Sequence, residues 1–456
     1  MPVSTFMQAR NRFSSEVRGV TLVSMSQAKT SPLGRPFGTA VATARAAIFV
    51  ALLTGNLFPT VGGFSLATAA AIVAAPWIVF ELLRYLPRIH PVIPFCIVVF
   101  LVLILPGVIE SPITQYGQEK FEKITTSLLL SAMAVVLIRD RRGVKILAWV
   151  WLFAATVLAI ATIFGGTGVG TRAVGFGSNP IWLGRELTSG FLVALWLMWQ
   201  KRLGTIPGLV VLSAIGAALV ATESRGPLLA ALLAVIVFLV GAAPKVSETA
   251  AAGIIFSAGS AVAALYFVPA SLPERVSELL LSPGSAVESS LRTDLWSVTM
   301  PMIAENPFGV GYGNWSAEAA TLIGWPHNLF LEVFAEAGWI PGITLVFATA
   351  VVVVRLARRS RGDSVASLVL ALLVAAIVEV SASGDLNART FFALLALGWV
   401  ATTWARPDCV FNSETRVPVA QRTCTAPIAF QPTGFRHTPA QSSPSWAPAR
   451  TATTGI

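Results

Sequence analysis

His327 is the side chain best placed by type and neighbours to move a proton. It stands in Trp325-Pro326-His327-Asn328-Leu329-Phe330-Leu331-Glu332-Val333-Phe334-Ala335-Glu336-Ala337-Gly338. Pro326 suits the first turn of a helix and Gly338 its C-terminal cap, which puts His327 at the helix N-terminus. The positive end of the helix dipole disfavours imidazolium, so a neutral His327 could accept a proton. The other two histidines, His90 and His437, fall in a basic loop and in a polar tail. A histidine that only caps a helix is the blander account.

Three arginines give that histidine a setting. Arg172 lies in the glycine-rich stretch 165–180, Arg225 closes the Glu223-Ser224-Arg225-Gly226 turn, and Arg292 opens a later polar segment. Guanidinium forks bind phosphate oxygens in bidentate fashion, so a lipid diphosphate is a natural partner for the group. Each alone also fits a snorkelling side chain or an ion pair, Arg225 with Glu223 and Arg292 with Asp294. Arg185 and Glu186, just inside a helix, are expected to pair with each other.

The elements that must position these residues are membrane helices. Hydrophobic residues make up 55% of the 456, charged residues 12%, and mean hydropathy is +0.74, a balance that excludes a soluble globular chain. Apolar stretches long enough to span a bilayer run at 40–58, 64–83, 92–109, 124–138, 144–164, 181–199, 206–221, 227–242, 250–268, 340–356, 364–380 and 390–405. The expected fold class is therefore an all-α polytopic membrane protein of about twelve transmembrane helices with one large outer, periplasmic loop containing short helices. With the N-terminus inside, every second loop is basic, as at Arg84 and Arg88; Arg139, Arg141, Arg142 and Lys145; Lys201 and Arg202; Lys245; and Arg355, Arg358, Arg359 and Arg361. Topology thus accounts for most of the +10 net charge, and a nucleic-acid surface is excluded as its reading. Arg172, Arg225, Arg292 and His327 fall together on the opposite, outer side.

The chain divides into a disordered cytoplasmic tail at 1–37, helices one to nine at 38–268, an outer catalytic loop at 269–339, helices ten to twelve at 340–405 and a disordered cytoplasmic tail at 406–456, rich in Pro, Thr, Ser and Ala. The first helix is expected to act as an uncleaved signal. Cys96 lies in an apolar helix and Cys409 and Cys424 in the tail, which offers neither a disulfide framework nor a cysteine metal site. Within the outer loop, Leu291, Leu295, Trp296, Met300 and Ile303 recur near helical spacing, the pattern of a helix at the membrane surface. The alternating glycines of Asn306-Pro307-Phe308-Gly309-Val310-Gly311-Tyr312-Gly313-Asn314-Trp315 predict a tight loop whose N–H groups approach a ligand, or a simple turn.

These motifs make the chain resemble the O-antigen ligase and O-antigen polymerase superfamily of bacterial envelope enzymes. The resemblance rests on Ser224-Arg225-Gly226 at a helix start, Arg292 ahead of Trp296, Asn306-Pro307-Phe308-Gly309-Val310-Gly311, and His327-Asn328 leading to Glu336-Ala337-Gly338, and it covers about a third of the chain. It implies a multi-pass glycosyltransferase of the bacterial inner membrane, active on the periplasmic side in lipopolysaccharide or exopolysaccharide synthesis. Its donor would be an undecaprenyl-diphosphate-linked glycan, and its acceptor a hydroxyl of lipid A-core in the ligases or of another glycan in the polymerases. The resemblance further implies inversion at the anomeric carbon, no metal and no other cofactor. In these terms His327 is the base, Arg292 acts with it at the reacting centre, and Arg225 and Arg172 bind the diphosphate. A secondary transporter or a non-catalytic export component is the competing class; a transporter would place its unusual charges near mid-membrane and show paired halves.

Overall fold

The structure, a computed structural model, describes residues 34–60, 63–85, 92–109, 115–138, 140–165, 173–242, 291–321 and 323–404. The stretch expected at 250–268, Arg172 and the tail 406–456 lie outside the described residues. So does the N-terminal tail except for 34–37, which turn out to begin the first helix.

Fourteen α-helices are described. Along the first part of the chain run α1 (Gly34–Thr54), α2 (Leu66–Tyr85), α3 (Val92–Ile109), α4 (Gln115–Val136), α5 (Arg141–Phe164), α6 (Pro180–Trp199), α7 (Thr205–Ala221) and α8 (Arg225–Ala242). Then follow α9 (Leu291–Glu305), α10 (Trp315–Glu318), α11 (Leu329–Ala337), α12 (Trp339–Ser360), α13 (Ser364–Ser383) and α14 (Arg389–Thr403). Every expected span that falls on described residues is helical. Five of these helices are long and apolar enough to cross a membrane, and five shorter apolar ones accompany them, which makes this a multi-pass membrane protein. Of the twelve expected spans, ten correspond to these apolar helices, and 250–268 lies outside the described residues. The stretch expected at 124–138 is the latter part of α4, whose first turns carry Glu119, Lys120, Glu122 and Lys123.

The most extensive packing joins α8 to α13; α5 packs on α1, α6 and α7, and α14 on α13, α12 and α4. Trp151, Trp196, Phe49 and Phe391 fill the core between them. Outward faces stay apolar, with Ile206 78%, Phe153 71% and Val240 71% exposed, an arrangement stable against lipid and not against water.

Polar contacts separate the two ends of the bundle. At one end Asp363 caps α13 through the N–H groups of Val365 and Ala366 and pairs with Arg141 and Arg359, while Arg359 also donates to the carbonyl of Thr402 at 2.8 Å. Asp140 caps α5 there, accepting from the Gly143 N–H at 2.7 Å. Asp140, Arg141, Arg359 and Asp363 belong to loops expected on the basic, inner side. At the other end Ser224 Oγ donates to the Pro180 carbonyl at 3.1 Å and Arg185 to Ser383 Oγ at 3.1 Å, joining the ends of α6, α8 and α13.

Candidate functional site

The segment around His327 is built from its flanks inward. Helix α11 begins at Leu329, not at Pro326, because Asn328 supplies the cap: its Oδ1 accepts from the N–H groups of Phe330 at 3.0 Å and Leu331 at 3.2 Å. His327 therefore precedes the cap and has left-handed backbone, φ 55°, which takes the chain sharply into the helix. Such a conformation costs about 1–3 kcal/mol in a non-glycine residue and marks a position that its surroundings enforce. Two anchors hold the preceding loop: Tyr116 Oη donates to the Gly324 carbonyl at 3.2 Å, and Trp296 Nε1 to the Pro326 carbonyl at 3.0 Å. The Trp325 and His327 rings meet edge to face at 5.1 Å.

Burial pushes the His327 imidazole below its ordinary pKa, Arg292 and Arg185 push it further down, and Asp385 pulls it up. The neutral form is the one expected of a helix-terminal histidine, but the first cause is burial, with the guanidiniums behind it. Arg292, on the first turn of α9, is itself lowered by burial and by Arg225. Arg225 is the first residue of α8, entered through a turn in which Glu223 is left-handed at φ 52°. The structure thus brings Arg292 within electrostatic reach of both His327 and Arg225. It adds Arg185 from α6 and Asp385 from the turn between α13 and α14.

Arg185 does not pair with Glu186. Glu186 accepts instead from Trp151 Nε1 at 3.0 Å and Thr390 Oγ1 at 3.2 Å, because successive residues on a helix point in different directions. The glycine loop also differs from its expected role. Gly309, Gly311 and Gly313 are all left-handed, at φ 87°, 86° and 80°, as a tight loop requires. Yet Val310 N–H donates to the Ala335 carbonyl at 2.8 Å and Gly311 N–H to that of Glu336 at 3.0 Å. A Cβ on Gly309 would lie 2.4 Å from the Glu336 carbonyl oxygen, so glycine is needed there for docking on α11. The apolar residues of α9 are divided: Leu295 and Met302, with Trp296 and Ile303, pack on Trp315 and Ala335, while Met300 is exposed.

Sequence reasoning missed the buried ion cluster beneath this site. Lys120 Nζ lies 2.6 Å from Glu332 and 2.6 Å from Glu336, one turn apart on α11. Glu332 also accepts from the Leu386 N–H at 3.0 Å, the residue next to Asp385. The visible signal was the two glutamates, four residues apart in an otherwise apolar helix. Their partner is 216 residues from Glu336 in sequence.

Residues 208–347 match the family model for O-antigen ligase. No curated protein matches the chain. The O-antigen ligase segment runs from α7 into α12 and contains Arg225, Arg292 and His327 together with Glu332 and Glu336. Lys120, Arg185 and Asp385 come from outside it.

Proposed function

We propose that this chain is a metal-independent glycosyltransferase that moves a glycan from undecaprenyl diphosphate to a hydroxyl acceptor at the outer face of the bacterial cytoplasmic membrane. The observation that carries this reading is Arg292 within electrostatic reach of both His327 and Arg225, all three inside the segment that matches the O-antigen ligase model. Its inner side is the basic end of the bundle, where Arg141 and Arg359 meet Asp363.

In this reading neutral His327 takes the proton of the acceptor hydroxyl. The oxygen then bonds to the anomeric carbon as the bond from that carbon to the diphosphate breaks on the opposite face. Base catalysis of this kind is worth about 10²–10⁴-fold. The departing electron pair adds charge to the diphosphate, which Arg292 and Arg225 match. Like-charged guanidiniums repel until an anion lies between them, so the pair favours the leaving group most when its charge is greatest. Arg172 is proposed for the same diphosphate. The acceptor is lipid A-core for a ligase and another glycan chain for a polymerase.

The test is envelope glycan analysis in a deletion strain carrying wild type, His327→Ala or Arg292→Ala at matched protein levels. Both variants are expected to accumulate undecaprenyl-linked glycan. Stalled single repeats identify a polymerase and stalled long unattached chains a ligase. Full restoration of the glycan by both variants overturns the reading in favour of a transporter or an export component.

A further inference from the structure

A cavity of about 70 Å³ opens at the same end of the bundle, lined by residues of α1, α6, α13 and α14. Its charged walls are Arg185 and Glu186 of α6, Glu379 of α13 and Arg389 of α14, joined by Asn387 and Trp182. Glu379 is only 4% exposed. Among the described residues, its Oε1 and the buried Nε of Arg185 have no hydrogen-bond partner. Ionisable groups set among apolar helices are costly to keep unless something uses them.

The walls restrict what can enter. A metal cation meets Arg185 and Arg389, an anion carries no donor for the unpartnered Glu379 oxygen, and an acyl chain leaves that oxygen and the Arg185 nitrogen unsatisfied. A neutral hydroxyl donates to the first and accepts from the second, because it is both donor and acceptor. Trp182, 38% exposed, adds an aromatic surface for the C–H face of a ring. At roughly 10–15 Å³ per water the space holds about five waters, or one sugar ring in their place. Arg185 is within electrostatic reach of His327, which sets the cavity beside the proposed reacting group.

We propose that this cavity binds a neutral sugar ring of the lipid-linked donor, next to its diphosphate; the proposal rests on the transferase reading. Glu379 and Arg185 take the hydroxyls of the ring, Trp182 packs on its face, and the cavity thereby selects which glycan is transferred.

The experiment measures lipid binding to the full chain in nanodiscs. The probes are bare undecaprenyl diphosphate and the undecaprenyl-linked glycan extracted from the deletion strain. Wild type is expected to prefer the glycan-linked lipid by about tenfold or more, the effect of one charge-assisted hydrogen bond. Glu379→Ala and Trp182→Ala are expected to abolish that preference while leaving affinity for the bare lipid within about twofold of wild type, since neither side chain touches the diphosphate. Trp182→Ala keeps the test valid if Glu379→Ala fails to fold. A preference that survives in the folded variants overturns the sugar site. Equal binding of both lipids by wild type also overturns it while leaving the diphosphate reading intact. Wild type that binds neither lipid removes the transferase reading and this proposal with it.

Discussion

Replacing Lys120 by Met should be among the most damaging single changes outside the proposed reacting groups. The ammonium lies 2.6 Å from both Glu332 and Glu336, whose side chains are fully buried, and it is the only cation paired with either among the described residues. Methionine keeps the length and apolar contacts of the lysine stem while removing its charge. Two carboxylates would then face each other one turn apart in a buried space, with backbone N–H groups as their remaining donors. Removing one partner of a buried pair costs about 3–5 kcal/mol. For a chain of this length, at about 1–2 °C per kcal/mol, this is a fall of roughly 5 °C in melting temperature. The assay is thermal loss of helical circular dichroism for detergent-solubilised protein, compared at one scan rate. Adding Glu332→Gln and Glu336→Gln to Lys120→Met should recover most of the loss, since neutral amides of similar shape need no counter-charge. Melting of Lys120→Met within about 1 °C of wild type would refute this reasoning, because a shift that small is about 1 kcal/mol or less. A triple variant as unstable as the single one would assign the loss to packing instead of charge.

The pH dependence of transfer should reflect His327. Its pKa is held below the ordinary value, so the base form is present at neutral pH and activity falls only as pH drops through that lowered value. Arg292→Gln removes one of the charges that lower it, so the midpoint of the residual activity profile should move up; an unmoved midpoint would deny the coupling. Gly309→Ala meets both a left-handed φ of 87° and a carbonyl oxygen 2.4 Å from the new Cβ, and should reduce stability by at least about 2 kcal/mol in the same melting assay. Asn328→Ala deletes the cap of α11 and should cost about 1 kcal/mol, with glycan transfer reduced because the entry from His327 loosens. Asp363→Asn, at the opposite end, should lower stability by about 3 kcal/mol and leave the pH profile of transfer unchanged.

The helices were legible because a bilayer demands long apolar stretches, and every such stretch among the described residues is helical. The candidate residues were legible for the same reason: where charge is costly, a histidine and arginines away from the basic loops stand out against the apolar background. The first turns of α4 were not, because a search for apolar length discards a start carrying Glu119, Lys120, Glu122 and Lys123. The start of α11 was placed three residues too early because proline at 326 and asparagine at 328 both suit helix entry, and only the hydrogen bonds of Asn328 decide between them. The glycines at 309, 311 and 313 announced a tight loop, but not that its N–H groups would meet the carbonyls of Ala335 and Glu336. In each case local sequence fixes what a residue can do, while a distant segment fixes which of those things it does. Lys120 is the clearest instance. A lysine near a helix start suits solvent or a headgroup equally well, until the fold brings two buried glutamates within 2.6 Å and leaves it one role, holding the helix that follows His327.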